Sequence, residues 1–121
     1  MESLNRIIIR GVVGSAKTSE VAGRTLVRMS VCTMYCHRDP KDGRVMDMQW
    51  FNVAWWPKAG DDFSWAAKGA VAEVEGRVRS QRYADADGRE RTVQEVIAAS
   101  VKNCGSTPFT PEEEPEEEAF A

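Results

Sequence analysis

One histidine, His37, and three cysteines, Cys32, Cys36 and Cys104, are all that 121 residues hold of those two types. An odd number of thiols cannot all pair within one chain, and a chain of this size buries a core without staples. Reduced cysteines in a reducing compartment are therefore expected. Acid–base and nucleophilic catalysis find little footing, because His37 lies beside an expected hairpin loop and no nucleophile–base spacing accompanies it. Zinc fares no better: Cys32, Cys36 and His37 make a C-x3-C-H run that is not a standard knuckle, and Cys104 is distant in sequence. Neither G-x-x-x-x-G-K-[ST] nor G-x-G-x-x-G occurs, so no nucleotide-cradling loop and no cofactor is indicated. No run approaches the ~18 consecutive apolar residues that span a bilayer. Met1–Arg6 has neither the basic region nor the apolar core of a signal peptide. A cytoplasmic protein with no membrane partner is expected.

What is present is an ordinary globular composition, 42% hydrophobic and 29% charged, in a length that suits one domain. The net charge of −3 conceals an asymmetry. Six glutamates, Glu112 to Glu114 and Glu116 to Glu118, follow Pro111, and removing them leaves 13 acidic against 16 basic residues. A basic body over residues 1–106 thus precedes an acidic tail over residues 107–121, which is too poor in apolar side chains to order itself. A polyanionic partner becomes plausible for the body, against the plainer alternative of a weakly charged domain with a solvated tail.

The body reads as strands. Leu4–Val13 is β-rich and ends in Gly11 and Gly14, and a polar connection over Ser15–Gly23 leads to an alternating strand, Thr25–Tyr35. Asp39-Pro40-Lys41-Asp42-Gly43 is hairpin chemistry, and Val45–Trp56 follows until Pro57 stops it. Asp61–Lys68 suggests a short helix, with acidic residues in its first turn, Phe63, Ala66 and Ala67 on one side, and Gly69 as a cap. Ala70–Tyr83 and Arg91–Val101 make a second hairpin around Asp87-Gly88. The order β-β-β-α-β-β predicts an all-β OB-fold, a five-stranded Greek-key barrel with one short helix between strands 3 and 4. A five-stranded sandwich fragment is the competing architecture.

Alternation also sorts the exposed faces. Trp50, Asn52 and Trp56 share one side of the third strand, while Phe51, Val53 and Trp55 occupy the other; Arg77, Arg79, Gln81 and Tyr83 share a side of the fourth. Single-stranded nucleic acid offers bases to aromatic rings and phosphates to cations, so a groove for it needs both types interleaved. Trp50, Trp56 and Tyr83 are candidate stackers, with Arg28, Lys58, Arg77, Arg79 and Arg82 as candidate phosphate contacts. Burial is the alternative role for any tryptophan, although four in one small barrel would overfill it.

These residues resemble a known family, the bacterial single-stranded DNA-binding proteins. The resemblance is carried by Leu4-Asn5-Arg6-Ile7-Ile8-Ile9-Arg10-Gly11, by Gln49-Trp50-Phe51-Asn52-Val53-Ala54-Trp55-Trp56-Pro57-Lys58, and most specifically by Lys68–Tyr83 followed by Asp87-Gly88. It covers residues 4 to 104. It implies an OB-fold homotetramer that binds single-stranded DNA, with Trp50, Trp56 and Tyr83 as base-stacking aromatics and Arg77, Arg79 and Arg82 at basic positions of strand four. It also implies that the tail, through Glu116, Glu117, Glu118 and Phe120, meets replication or repair proteins, although here Ala121 follows the phenylalanine. The expected role is non-enzymatic, sequence-tolerant binding in DNA replication, recombination or repair, and the divergence is compatible with a mobile-element member. The alternative is an OB-fold assembly module that binds replication proteins and has little DNA affinity.

Overall fold

The computed structural model describes residues 1–109 and 111. Five strands, β1 (Ile7–Val21), β2 (Arg24–Asp39), β3 (Gly43–Trp55), β4 (Ala70–Ala84) and β5 (Glu90–Ser106), close into a barrel in the order β1-β2-β3-β5-β4. This is the expected OB barrel. Every neighbouring pair is antiparallel except β3 and β5, which run parallel over four residue pairs from Asn52↔Glu95 to Trp55↔Ala98. β1 serves two neighbours in turn: Ile7–Val12 pairs with β4 and Val12–Val21 with β2.

Inward-facing positions fill the barrel with Ile9, Val13, Val27, Met29, Val31, Val53, Val74 and Val96, all buried. Trp55, 4% exposed, closes one end of this core against the rings of Phe63, edge-on at 6.5 Å, and Trp65, tilted at 6.1 Å.

Two local expectations are corrected. No helix forms over Asp61–Lys68. Phe63 and Trp65, two residues apart, both meet Trp55, whereas that spacing would send them to different sides of a helix. Asp62 reinforces the irregular path: its Oδ1 accepts from the Ser64 amide at 2.9 Å and the Ser64 hydroxyl at 2.7 Å, and its carbonyl accepts from Trp65 Nε1 at 2.8 Å. The bond with the Ser64 hydroxyl, helped by the amide, holds the Asp62 carboxyl below its ordinary range. Backbone bonds from Asp61 to Lys58, from Ala66 to Phe63 and from Ala70 to Ala67 close isolated turns.

The second correction concerns Ser15–Gly23, which is not a loop. Most of it extends β1, paired with β2 up to Val21↔Arg24 across a two-residue turn. Both turn residues have positive φ, 52° at Ala22 and 78° at Gly23, the pattern whose twist matches a right-handed hairpin. Glycine takes that conformation freely, but Ala22 bears a steric cost there. β5 ends at Ser106, and the Thr107 amide still donates to the Gly69 carbonyl at 2.9 Å. The tail residues Glu116, Glu117, Glu118 and Phe120 lie outside the described residues.

Replacing Ala22 with asparagine, which tolerates the left-handed region, is expected to stabilise the fold by about 0.5–1 kcal/mol. Urea denaturation of Ala22→Asn beside the unmodified chain checks this.

Candidate nucleic-acid interface

Residues directly opposite in neighbouring strands share a face, so the register itself draws the outer surface. One row runs Ser15, Ser30, Asn52, Glu95, Arg79 across all five strands, and the next runs Lys17, Arg28, Ala54, Ile97, Arg77. Trp50 stands opposite Cys32 on the same face. This surface is well covered for an exterior: Ser30 and Cys32 are completely buried, and Leu26 and Ala54 are 3% and 5% exposed.

Trp50 accounts for part of that cover. A Cβ on Gly14 would stand 2.7 Å from the far edge of the Trp50 indole and 3.1 Å from Ser30 Oγ, so only glycine lets the ring reach across β2 onto β1. The register of β1 and β2 slips at that residue, a bulge between Val13 and Ser15. Ser15 and Ser30 join hydroxyls at 2.9 Å beside it. Trp50 is thus a half-buried ring laid over the sheet. Cys32, desolvated on this face, has its thiol pushed above the ordinary range and makes a poor nucleophile.

Trp56 is also half-buried, and the Arg24 guanidinium lies over its ring, 4.9 Å from the centroid. Such a contact is worth ~0.5–1 kcal/mol at an exposed site. A base stacking on this face of Trp56 has to displace Arg24 or stack upon it.

The cations differ in their freedom. Arg77, exposed, is opposite Ile97. Arg79 is bound, its Nη2 lying 2.6 Å from Glu95 Oε1, and Glu95 is a mostly buried carboxylate. Tyr83 lies two outward positions beyond Arg79, ~13 Å along the same side of the β4–β5 hairpin. Arg82 falls on the opposite side of that hairpin and meets Glu90 at 3.4 Å. Lys58, exposed just past β3, closes a small loop in which its amide donates to Asp61 Oδ2 at 2.8 Å. The structure therefore gathers Trp50, Trp56, Arg28, Arg77 and Arg79 onto one surface, with Tyr83 on its extension, and turns Arg82 away.

At the tip of the β4–β5 hairpin, Asp85 accepts from Arg91 Nε at 2.8 Å and from the Arg89 amide at 2.9 Å. The bond from Arg91, followed by that from the Arg89 amide, keeps this carboxyl below its usual range. The longer β2–β3 hairpin carries His37, which meets Asp47 at 2.8 Å and stacks on Tyr35, itself 69% exposed. Cys36 lies opposite Met46 on the other side of that hairpin, and Cys104 is exposed on β5. Among the described residues, no group of three or more His, Cys, Asp or Glu side chains is assembled to hold a metal. Near the tip, Arg38 and Arg44 are directly opposite, a like-charged pair that disfavours the hairpin.

Lys17, Arg24, Arg38, Arg44 and Glu95 escape a sequence reading. Lys17 alternates with Ser15 and Ser19 in strand fashion, but the Ala22-Gly23 turn is a weak hairpin signal and hides the strand before it. Glu95 joins the surface only through the parallel β3–β5 register, which no local pattern announces.

Comparison with known proteins agrees with this architecture. Residues 4–104 match the model of the Single-strand binding protein family. A single-stranded DNA-binding protein of Neisseria meningitidis is 31% identical over 108 residues, covering 85% of this chain and 61% of that protein. One from Xylella fastidiosa is 27% identical over 106 residues, covering 84% and 64%. The chain thus spans about three-fifths of the length of these curated relatives. Among solved structures, the Plasmodium falciparum SSB complex with ssDNA superimposes with a TM-score of 0.73 at 19% identity, covering 85% of this chain and 96% of the other. A small single-stranded DNA-binding protein from Streptomyces coelicolor gives 0.65 at 19% identity, covering 81% and 92%. At such identities the structural likeness is one of fold.

The two sides of β3 predict opposite responses to truncation. Trp55→Ala, which empties the end of the core, is expected to cost ~3–5 kcal/mol of stability. Trp56→Ala, outside the core, is expected to cost no more than ~1 kcal/mol, chiefly the contact with Arg24. Chemical denaturation of the two variants separates them.

Proposed function

Because the chain belongs to the single-strand binding protein family, we propose that it binds single-stranded DNA with little regard to sequence, as a binding protein and not an enzyme. The observation that carries this reading is the outer face of the barrel, where Trp50 and Trp56 flank Asn52 beside Arg28, with Lys17 and Arg77 at either end of the adjoining row. Bases stack on Trp50, on Trp56 and, further along the strand, on Tyr83, while Lys17, Arg28, Lys58 and Arg77 neutralise phosphates. Stacking tolerates any base because every base has a π-face, and a duplex hides those faces. Arg38 and Arg44 fit a further phosphate, whose charge would relieve their mutual repulsion.

The wider biology follows from that activity: protection and presentation of exposed strands during replication, recombination or repair in the cytoplasm. Self-association, to a tetramer by family likeness, is supported by β1, whose Ile8 is 54% exposed and whose Ile7–Gly11 segment pairs only with β4. The acidic segment after Pro111 is the proposed contact for replication or repair proteins, with Glu116, Glu117, Glu118 and Phe120 as its recognised side chains. Residues 1–106 are the DNA-binding body in this scheme, and residues 107–121 are the tail.

Titration with oligo-dT is expected to quench tryptophan fluorescence, and a duplex of the same length to quench it far less. Trp50→Ala and Trp56→Ala are each expected to lose ~1–3 kcal/mol of affinity while staying folded. A folded, unmodified protein that ignores oligo-dT at low salt would overturn the proposal in favour of an assembly module.

The tail generates a separate expectation. Six carboxylates tethered to a basic body act at high effective concentration and are expected to compete with phosphates when screening is weak. Deleting residues 111–121 is expected to raise oligo-dT affinity several-fold at ~10 mM salt and hardly at all at ~300 mM, measured by the same titration.

A further inference from the structure

Among the described residues of the two rows that cross the sheet, Glu95 is the one acidic side chain, of the wrong sign for a polyanion. It sits in the row Ser30, Asn52, Glu95, Arg79, between the Trp50 and Trp56 positions of β3 and the basic positions of β4. Its side chain is only 9% exposed, against 27% for Glu73 and 42% for Glu75 in the ion pairs with Arg10 and Arg6 that line β1 and β4. A carboxylate so far removed from water persists when a cation answers it, and Arg79 does so at 2.6 Å. The Arg79 side chain remains 47% exposed, yet its charge is already balanced.

We propose that Glu95 is a restraining residue of the binding face: by pairing with Arg79 it withholds that cation from phosphate and sets the affinity for single-stranded DNA below what the surface would otherwise reach. The inference rests on the function proposed above. Arg79 then contributes to the face as a neutral pair, offering the flat of its guanidinium and its hydrogen atoms but releasing no counterion. Salt dependence counts only cations that phosphates newly neutralise, about 0.7 in the log–log slope for each on a single strand. The pair contributes nothing to that count while it stays closed.

The experiment compares the full-length protein with Glu95→Gln and with the double variant Glu95→Gln/Arg79→Gln. Oligo-dT binding is followed by tryptophan fluorescence between about 50 mM and 300 mM salt, and thermal melting confirms that each is folded. Freeing Arg79 in Glu95→Gln is expected to steepen the slope by about 0.7 and tighten binding roughly five- to tenfold at 50 mM salt, the curves converging toward 1 M. The double variant, neutral like the native pair, is expected to return to the native slope. If Glu95 merely orients an arginine that already grips phosphate, Glu95→Gln keeps the native slope and the double variant falls below it by about 0.7, which overturns the proposal. Should Glu95→Gln alone fail to fold, the double variant against the native protein still decides, since the two accounts predict different slopes for it. Native protein that does not bind oligo-dT would overturn the function itself, whereas binding with a slope indifferent to Glu95 overturns only the restraint.

Discussion

The unbroken register between β2 and β3 is the constraint on which the rest of the molecule depends. Thirteen residue pairs, from Val27↔Trp55 to Asp39↔Gly43, run without a bulge, so each side chain of β3 is committed to one face by its parity alone. Phe51, Val53 and Trp55 turn inward to the barrel, and Trp50, Asn52 and Trp56 turn outward. A slip of one residue would exchange the two sets. It would put the core tryptophan in water and press the outer ones into a space already filled by Met29, Val31 and Val74. Core packing is what makes that exchange costly, so the interior holds the exterior aromatics in place.

Charge is distributed with a similar division of labour. Around β1 and β4 the cations are matched: Arg6 with Glu75 at 3.0 Å, and Arg10 with Glu73 at 2.7 Å. These exposed pairs are each worth little to stability. Their effect is to neutralise that side of the barrel and leave the basic character of the body to the outer face around Lys17, Arg24, Arg28 and Arg77. Within that face, Arg24 lies over Trp56 and Arg79 pairs with Glu95, so the surface is preorganised by its own internal contacts.

Much of this was legible in the sequence, and the illegible parts share a cause. Alternation and turn residues exposed all five strands, the first of them only in its near half, and the hairpins at Asp42-Gly43 and Asp87-Gly88, because both signals are local. The same alternation separated Trp50 and Trp56 from Trp55. The far half of β1 was hidden because Ala22 occupies a position that asparagine or glycine would have advertised. The Asp61–Lys68 segment looked helical because its capping residues and charges are those of a helix, but the packing of Phe63 and Trp65 against Trp55 is a tertiary choice that two turns of helix propensity cannot outweigh. Glu95 and Arg24 acquire their roles from partners 16 and 32 positions away, and no window of sequence reports such a contact.

The parallel contact between β3 and β5 has a consequence of its own. Four residue pairs, Asn52↔Glu95 to Trp55↔Ala98, close the cylinder, while the antiparallel hairpins on either side are far longer. A short parallel seam is the natural place for the cylinder to part, since its strands are remote in sequence and its ladder has few rungs. Asn52 and Glu95 are the first of those rungs. A fluctuation that parts this seam pulls the central polar row apart while both hairpins are still intact, so the face proposed for binding is also a fastening of the fold, and a ligand that bridged it from outside would hold the cylinder shut.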